Sequence, residues 1–480
     1  MINGIIVRRL AVGAALASMT LGLAGCSGGG GSSSSANTTP TLVTLPEYQA
    51  LRANTVSTAA STVPDAATME ALVAANNSMA VEQLRISLAL EAYGYSAGNT
   101  VAAPPLTYAA LRTLGAAASG DSLAEISSHF DLAPSPYEAA EQTGRVTSLW
   151  WADRGRHFRT EFLSATDALG PEPRLAGWSA AETGFADGSA ASDAALAQSF
   201  AATGAGLSLG EFSTPTNIRL LANHTLTSNA AWDTVTPFEG VFNRVRLPLL
   251  RLTSGVTRYI GTDYTADLVR SGDLHVMTLR PASAGLANFA ASRLALALDE
   301  AVRGLLVNPA VPATGEMLLP QADISLVFPS DASMGLFGVS QVYSETLANL
   351  KNLDGLGGTY AQTQSAAKLH IAANGLELQA AHAMAFTFSP RNVNGPTYGS
   401  SDSSYGVTST LGNIAQTCVW PTPDLTSFFL VILDTRRQVV SLAAIQSLPG
   451  TAVTPVCTSS LTSSAVLAPK FQLWTPVDPK

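Results

Sequence analysis

Residues 206–210 have the sequence Gly-Leu-Ser-Leu-Gly and match the G-x-S-x-G nucleophile elbow, in which the serine hydroxyl attacks an acyl carbon. The elbow exposes its serine, here Ser208, only when a strand precedes it and a helix follows it. The preceding residues 197–202 are alanine-rich and typical of a helix, and Thr214-Pro215 forms a turn soon after. This context does not favour a serine hydrolase, and we predict that the chain is not an enzyme.

The histidines do not form a metal-binding motif either. None of the six has the H-E-x-x-H spacing of a zinc hydrolase. His224 follows Asn223 in a segment with strand character, where we expect a structural polar side chain rather than a catalytic base. We therefore predict neither a metal nor a cofactor.

Three cysteines are too few for a disulfide framework, and their spacing does not fit a zinc site. Cys26 belongs to an N-terminal targeting segment, which leaves Cys418 and Cys457. In an oxidising compartment such a pair favours one disulfide, and two buried free thiols are the alternative.

Residues 1–25 have the pattern of a secretory signal, with Arg8 and Arg9 ahead of an apolar stretch of small residues. The signal leads into Leu-Ala-Gly-Cys at 23–26, which resembles a bacterial lipobox and implies a diacylglycerol on the thiol of Cys26. Residues 26–41 follow as a tether rich in Gly and Ser. Because Ser27 stands where an inner-membrane retention signal has Asp, we expect an outer-membrane lipoprotein that faces the periplasm or the cell surface.

The composition excludes two classes of protein. With 46 % apolar and only 13 % charged residues, the 480-residue chain does not have the composition of a disordered protein. Its formal net charge is -9 with 26 Lys and Arg, so it lacks the basic surface that nucleic acids require. Beyond the signal, no unbroken apolar run of about 18 residues predicts a transmembrane helix.

Residues 376–389 alternate between two kinds of side chain. One set is almost wholly apolar and the other is polar or small: Leu376, Leu378, Ala380, His382, Met384, Phe386 and Phe388 alternate with Glu377, Gln379, Ala381, Ala383, Ala385, Thr387 and Ser389. A period of two predicts a β-strand with one face that can enter a core. An ordinary buried strand is the alternative to a strand with a special role.

Helical patterns dominate the first part of the chain, and strand patterns dominate from about residue 217 onwards. Since the two do not alternate regularly, we predict an α+β fold rather than a parallel α/β sheet. We predict a single domain over residues 42–455 and a C-terminal tail over residues 456–480. Residues 392–424 are rich in Gly, Ser, Thr, Pro and Asn, which predicts a long exposed loop.

Several segments, in a common order, resemble the serpins. They are Asn-Asn-Ser-Met-Ala at 76–80, residues 99–104, 109–111 and 120–126, Leu-Ala-Asn-His-Thr-Leu at 221–226 with Trp232, Leu-Leu-Pro-Gln-Ala-Asp-Ile at 318–324, residues 368–383, and Phe-Phe-Leu-Val-Ile at 428–432. The resemblance extends from about residue 70 to residue 450. It implies an α+β domain with three β-sheets, about eight or nine helices, and a reactive loop that is either exposed or inserted.

Serpins perform no catalysis, and the resemblance implies an inhibitor of serine endopeptidases. In the family a protease cleaves the reactive loop, which then inserts into the main sheet as a new strand and drags the acyl-enzyme along. The resemblance places the loop region at residues 375–424. It assigns the hinge to Gly375, Leu376, Glu377, Leu378, Gln379, Ala380 and Ala381. It assigns the sheet-opening region to Pro104, Asn223 and Trp232.

The bond that the protease would cleave falls within Phe388, Ser389, Pro390, Arg391 and Asn392. Family spacing from the hinge glycine points to Ser389-Pro390, but a proline after the bond makes a poor substrate. Arg391-Asn392 suits a trypsin-like protease and Phe388-Ser389 a chymotrypsin-like protease. We expect the protein to be a monomer.

The chain departs from the family at the hinge and in the sheet-opening region. Leu376, Leu378 and Gln379 stand where inhibitors have small residues, and bulky side chains would slow insertion. An expected serine pair and an expected histidine are also absent, and their places are taken by Ala103, Leu106 and Ser365. These departures support an alternative function, a non-inhibitory serpin-fold module for binding or adhesion on the cell envelope.

His382 lies on the apolar face of the alternating strand. A charged imidazole on that face would oppose burial of the strand. We therefore expect insertion of the loop to weaken at acid pH.

Overall fold

The computed structural model describes a large part of the chain. It covers residues 42–44, 65–91, 98–130, 146–152, 157–159, 161–162, 174–175, 207, 218–282, 285–307, 313–326, 334–335, 337–355, 357–388, 417–419, 424–453 and 456–458. The chain divides into two compact units, Met1–Thr39 and Pro40–Lys480. The first unit, with the predicted signal and Cys26, lies outside the described residues.

The described helices lie in three stretches of the chain. They are α1 (Ala66–Glu91), α2 (Pro104–Ala117), α3 (Gly120–His129), α4 (Leu286–Ser292), α5 (Leu294–Val302) and the short α6 (Lys351–Asp354). α2 begins at a Pro-Pro pair, because proline lacks the N–H that has no helical partner in a first turn. None of the described helices is long and apolar enough to cross a membrane.

The strands fall into two clusters along the chain. The first comprises β1 (Leu42–Thr44), β2 (Thr100–Ala102), β3 (Val146–Ala152), β4 (His157–Arg159), β5 (Arg174–Leu175), β6 (Ile218–Ala231), β7 (Val235–Phe242), β8 (Val245–Leu252), β9 (Thr257–Ile260), β10 (Tyr264–Ser271) and β11 (Leu274–Pro281). The second comprises β12 (Ala313–Thr314), β13 (Met317–Pro320), β14 (Ala322–Leu326), β15 (Thr359–Ala372), β16 (Gly375–Phe388), β17 (Thr417–Val419), β18 (Asp424–Leu425), β19 (Phe428–Asp434), β20 (Val439–Ile445), β21 (Thr451–Ala452) and β22 (Val456–Thr458).

Three larger sheets organise these strands. The main sheet has the order β14-β15-β16-β6-β3-β5, in which every pair is antiparallel except β3 with β5. The second sheet has the order β13-β8-β7-β18, with β21 on β8, and the third has the order β12-β9-β10-β11-β19-β20-β2. This mixture of helices and mostly antiparallel sheets confirms the predicted α+β fold. The predicted number of eight or nine helices stays a prediction, because several ranges lie outside the described residues.

Buried side chains form three clusters between the layers. One joins α2 to the main sheet and includes Leu114 and Phe386. A second joins the main sheet to the other two sheets and includes Leu376. The third packs α1, α4 and α5 on the third sheet and includes Phe289 and Phe429. The main sheet therefore packs against α2 in one cluster and against the other two sheets in another.

Parts of the predicted loop region and of the predicted tail are paired strands. β17 lies near the end of the predicted loop and pairs antiparallel with β22, which holds the first residues of the predicted tail. β18 then adds two residues to the edge of β7. The prediction of a long exposed loop over 392–424 is thus wrong for residues 417–419 and 424, which form strands, because a polar composition does not report long-range strand pairing. Residues 389–416 lie outside the described part of the chain.

Candidate functional site in the main sheet

The alternating segment lies in the middle of the main sheet. β16 pairs antiparallel with β15 on one side and with β6 on the other along almost its whole length. β15 and β16 form a hairpin, so the strand that follows the predicted hinge folds back beside the strand that precedes it. The segment predicted to be a reactive-loop strand is therefore inserted in the sheet in this structure.

Gly375 begins the inserted strand, at the position predicted for the hinge glycine. Its φ is +153°, a value that side chains with a Cβ rarely adopt. A Cβ at this position would lie 2.3 Å from the carbonyl oxygen of Ala230 on β6. Glycine is thus required for the close approach of the hinge to the central strand.

Trp232 closes the same end of the sheet. It directly follows β6, is 9 % exposed, and its indole Nε1 donates a hydrogen bond of 3.0 Å to the carbonyl oxygen of Ala372. Ala372 is paired with Gly375 across the hairpin. The tryptophan therefore fixes the end of β15 at the point where the chain turns into β16.

The bulky hinge residues are accommodated in the core. Leu376 lies opposite Ile371, and Leu378 lies opposite Leu369, in the register of β15 and β16. All four side chains are at most 2 % exposed and belong to one core cluster. The two leucines that depart from the family pattern thus have apolar partners of matching size on the neighbouring strand.

The alternation of exposure holds only in the first part of β16. Glu377 is partly exposed and Gln379 is exposed, and the Gln379 Nε2 donates a hydrogen bond of 2.6 Å to Glu377 Oε1. From Ala380 to Thr387 every residue is buried, so both faces of the strand are covered there. The small alanines at positions 381, 383 and 385 allow this close packing on the second face.

Two histidines meet across the seam between β16 and β6. His382 is directly opposite His224, with Ser365 beyond His382 on β15 and Ser148 beyond His224 on β3. His382 Nδ1 lies 2.8 Å from Ser365 Oγ. Ser365, which replaces an expected histidine, is therefore a partner of a histidine on the inserted strand.

A helix contributes the partner of the second histidine. His224 Nε2 lies 3.3 Å from Thr113 Oγ1 on α2. The Thr113 hydroxyl donates its proton to the carbonyl oxygen of Ala109 at 2.9 Å, so its oxygen accepts from His224 Nε2–H. Burial lowers the pKa of His224 to about 3, assisted by the nearby His382, and burial lowers the pKa of His382 to about 4. Both imidazoles are therefore neutral at pH 7.

A buried ion pair fixes the other end of the inserted strand. The Arg219 guanidinium on β6 donates to the carboxylate of Asp354 in α6, and their side chains are 5 % and 2 % exposed. The guanidinium carbon also lies 4.4 Å from the ring centroid of Phe388, the last residue of β16. A cation over an aromatic ring is attracted by the electron density of the ring face. Phe388, from the predicted cleavage region, is thus held at the end of β16.

The predicted sheet-opening residues lie near this seam. Pro104 is buried at the start of α2, and Asn223 is buried on β6 opposite Ala383 of the inserted strand. Ala103 and Leu106, which replace the expected serines, are both 0 % exposed. Ala103, Pro104 and Leu106 therefore make the start of α2 largely apolar, and the polar side chains at the seam include Asn223 as well as the two histidines, Ser365 and Thr113.

Several predicted site residues lie outside the described residues. They are Cys26, Ser208, Ser389, Pro390, Arg391 and Asn392. Cys418 and Cys457 are described in backbone only, as directly opposite residues of β17 and β22. Within the described ranges, no group of three or more His, Cys, Asp or Glu side chains could hold a metal ion.

Sequence reasoning missed two parts of this site, the His224–His382 contact and the Arg219–Asp354 pair. Each joins residues that are far apart in the chain, so no local period or spacing could reveal it. The available signals were the unusual histidine beside Asn223 and a charged residue, Arg219, within an apolar strand.

Only the comparison with solved structures found proteins similar to this chain. No protein-family model matches the sequence, and no curated protein matches it. Among solved structures, a thermophilic serpin, tengpin, in the latent state is 11 % identical with a TM-score of 0.58, over 81 % of this chain and 100 % of that chain. Cleaved serpin 42Da is 13 % identical with a TM-score of 0.55, over 78 % of this chain and 100 % of that chain.

A loop-inserted structure of a cleaved ovalbumin mutant is 12 % identical with a TM-score of 0.55, over 77 % of this chain and 99 % of that chain. These similarities confirm the predicted serpin-like arrangement of helices and sheets. The chain has the serpin fold.

Proposed function

We propose that the protein is a serpin-like inhibitor of serine endopeptidases that acts by cleavage and insertion of its reactive loop. The observation that supports this most strongly is the position of β16, which forms ladders with β15 and β6 over nearly all of its residues. An inhibitor of this type requires a main sheet that accepts its own loop as a strand. The expected target is a serine protease of the trypsin-like or chymotrypsin-like class.

The inserted strand is stabilised by burial along its length. Leu376 and Leu378 enter an apolar cluster, and Phe386 is 0 % exposed in another. Removing such side chains from water contributes about 1.5–3 kcal/mol each. A loop that starts outside the sheet would release this free energy on insertion, which could drag an acyl-linked protease along with it.

Mixing the protein with trypsin and with chymotrypsin tests this proposal. We expect a complex that survives SDS on a gel with at least one of the two proteases, because the acyl bond is trapped. An Arg391→Ala variant should abolish the complex with trypsin, and a Phe388→Ala variant should abolish the complex with chymotrypsin. Clean cleavage without any stable complex, with both proteases, would exclude inhibition by this mechanism.

A second candidate function is a non-inhibitory module for binding or adhesion, with β16 permanently in the sheet. The observation that favours it is the insertion of the strand in the uncleaved chain, with Leu376 and Leu378 fully packed. In this case a protease cannot bind the segment as an exposed substrate loop. Proteolysis after Phe388 would then leave the melting temperature almost unchanged, whereas cleavage of an expelled loop would raise it strongly.

A hinge variant separates the two functions further. Replacing both Leu376 and Leu378 by Ala gives the hinge the small side chains that allow rapid insertion. If the loop is bait, this double variant should form more stable protease complex than the natural chain. If the strand is permanently inserted, it should only lose stability, by about 2–5 kcal/mol for each buried leucine. Leu347→Ala is a matched control because Leu347 is 64 % exposed.

We also propose that the mature protein is a monomeric outer-membrane lipoprotein anchored through Cys26. The sequence pattern at residues 23–26 supports this assignment. Growth with labelled palmitate should label the natural protein, and a Cys26→Ser variant should take up no label. Labelling of both proteins, or of neither, would exclude lipidation at this residue.

A further inference from the structure

A buried carboxylate lies beneath two arginines in the third sheet, far along the chain from the inserted strand. Asp267 on β10 is 0 % exposed, and Arg258 on β9 is its direct cross-strand neighbour. Arg258 Nε and Nη2 donate to the two carboxylate oxygens at 2.6 and 3.0 Å. Arg280 on β11 donates to the same carboxylate through Nη2. The arginines therefore share one buried negative charge.

The neighbouring charges leave this cluster with an excess of positive charge. Arg258 Nη2 also donates to the carbonyl oxygen of Glu316 at 2.8 Å. The Glu316 carboxylate forms an ion pair with Arg251, with Nε and Oε1 2.9 Å apart. Three arginines thus face two carboxylates. One cationic charge is left over in a chain whose formal net charge is -9.

An open, shallow cavity of about 460 Å³ lies at the surface above Arg258 and Arg280. Its walls combine polar and apolar groups: Arg258, Thr265, Arg280, Glu316, Pro281, Ala282 and Leu318. The volume is within the range of pockets that hold small organic ligands, and it is larger than an inorganic anion needs.

Arg280 has unused hydrogen-bonding capacity at this cavity. A guanidinium carries five N–H donors, and among the described residues the only partner of Arg280 is Asp267, through one nitrogen. Its side chain is 17 % exposed. Burial lowers the pKa of Arg280, against the opposing effects of the Asp267 and Glu316 carboxylates. An anion at the free edge of the guanidinium would supply the missing partner.

We propose that this cavity binds a small organic carboxylate with an apolar body. The planar guanidinium of Arg280 matches a carboxylate in a bidentate geometry, and Leu318, Pro281 and Ala282 offer an apolar wall to the rest of the ligand. The single excess charge matches a monoanion, and the Glu316 carboxylate in the wall disfavours a dianion such as phosphate. This site is independent of the inserted strand and of the proposed protease inhibition.

Calorimetric titration of the full mature chain tests this site, with hexanoate as the probe and inorganic phosphate and hexylamine as comparison ligands. We expect saturable binding of hexanoate at one site and no comparable binding of phosphate or hexylamine. Arg280→Lys keeps a cation beside Asp267 but loses the planar fork, so it should weaken hexanoate binding by about tenfold or more. Leu318→Glu places a carboxylate in the cavity and should abolish binding.

Arg303→Met is the control variant, because Arg303 lies outside the cavity with a side chain that is 69 % exposed. It should bind hexanoate like the natural chain. Circular dichroism and thermal unfolding establish that each variant is folded, and the lysine and glutamate variants test the site independently of each other. Absence of saturable hexanoate binding, equal binding of phosphate, or unchanged affinity in both cavity variants would overturn the proposal.

Discussion

His382 on the inserted strand lies directly opposite His224 on the central strand, and both imidazoles are buried. Each has a hydroxyl partner, Ser365 for His382 and Thr113 for His224. Such partners can serve a neutral imidazole, but neither can neutralise a charged one. Because burial opposes a charge on either imidazole, the seam between β16 and β6 is more stable while both histidines are uncharged.

The histidine pair predicts that acid destabilises the folded protein. The pKa values of about 3 for His224 and about 4 for His382 lie below the ordinary value of 6.5. A lowered pKa means that the stabilising contribution is complete above pH 6.5 and is lost as pH falls from there to about 4 for His382 and to about 3 for His224. Each histidine should cost on the order of 2 kcal/mol of unfolding free energy at pH 5 relative to pH 7.5. Urea unfolding at the two pH values measures this loss.

Substitution of one histidine identifies the groups responsible for this loss. His382→Asn should remove roughly half of the difference between pH 5 and pH 7.5, because one of the two buried titrating groups is gone. His129→Asn is the control, since His129 is exposed at the end of α3. If His382→Asn and His129→Asn change the pH dependence of stability equally, the two buried histidines are not its cause.

The buried Arg219–Asp354 pair predicts a large loss of unfolding free energy when one of its two charges is removed. Asp354→Asn would leave the Arg219 charge buried without its carboxylate, since their side chains are 5 % and 2 % exposed. Removal of one partner of a buried pair costs about 3–5 kcal/mol. Because the guanidinium also packs on Phe388, amides near the end of β16 should exchange hydrogen faster in this variant. Urea unfolding and hydrogen exchange measure the two effects.

An exposed pair in the same protein gives the matched comparison. Asp299 on α5 pairs at 2.8 Å with Arg303, the residue that follows the helix, and their side chains are 51 % and 69 % exposed. Asp299→Asn should cost less than about 1 kcal/mol, because water and counter-ions replace an exposed partner. Similar losses for Asp354→Asn and Asp299→Asn would show that the buried position of Arg219 has no special energetic role.

The backbone at residue 375 predicts that the hinge requires a glycine at this position. A Gly375→Ala variant would place a Cβ 2.3 Å from the carbonyl oxygen of Ala230 and would also strain a backbone with φ of +153°. We expect the variant to lose about 2 kcal/mol or more of stability and to expose the first residues of β16. Thermal unfolding and proteolysis near Leu376 measure these effects.

Gly357→Ala is the control for the hinge variant, because nothing lies within 4 Å of a Cβ at Gly357 and its φ is outside the positive range. This control should change stability by only a few tenths of a kcal/mol or slightly increase it. A Gly375→Ala variant as stable as the control would mean that the hinge adapts without strain.

The sequence was informative where the structure depends on local rules. The alternation over residues 376–389 follows from the geometry of one strand, and β16, from Gly375 to Phe388, contains all of these residues except Ser389. The start of α2 at the Pro-Pro pair 104–105 follows a local rule too, because proline fits the first turn of a helix. A propensity-based estimate of a helix start readily misses the first turn, where proline is tolerated.

The sequence was uninformative where the structure depends on register between distant strands. Whether His382 faces His224 or its neighbour Asn223 is decided by a shift of one residue in the pairing of β16 with β6. No local pattern near residue 224 fixes that register. The same applies to Arg219 and Asp354, which become partners only because α6 packs near the start of β6.

Cys418 and Cys457 predict a disulfide between β17 and β22. They are directly opposite in an antiparallel pair, where Cα atoms lie about 4.5–5.5 Å apart, within the range that disulfides use. Closing the loop between them should stabilise the protein by about 4 kcal/mol.

Peptide mapping of protein secreted into an oxidising compartment should recover residues 418 and 457 in one cross-linked peptide, which reduction separates. Cys418→Ser and Cys457→Ser should lose the cross-link and unfold at equally lowered urea concentrations. Recovery of two free thiols, or stability that does not respond to reduction, would contradict the bridge, because a closed loop must restrict the unfolded chain.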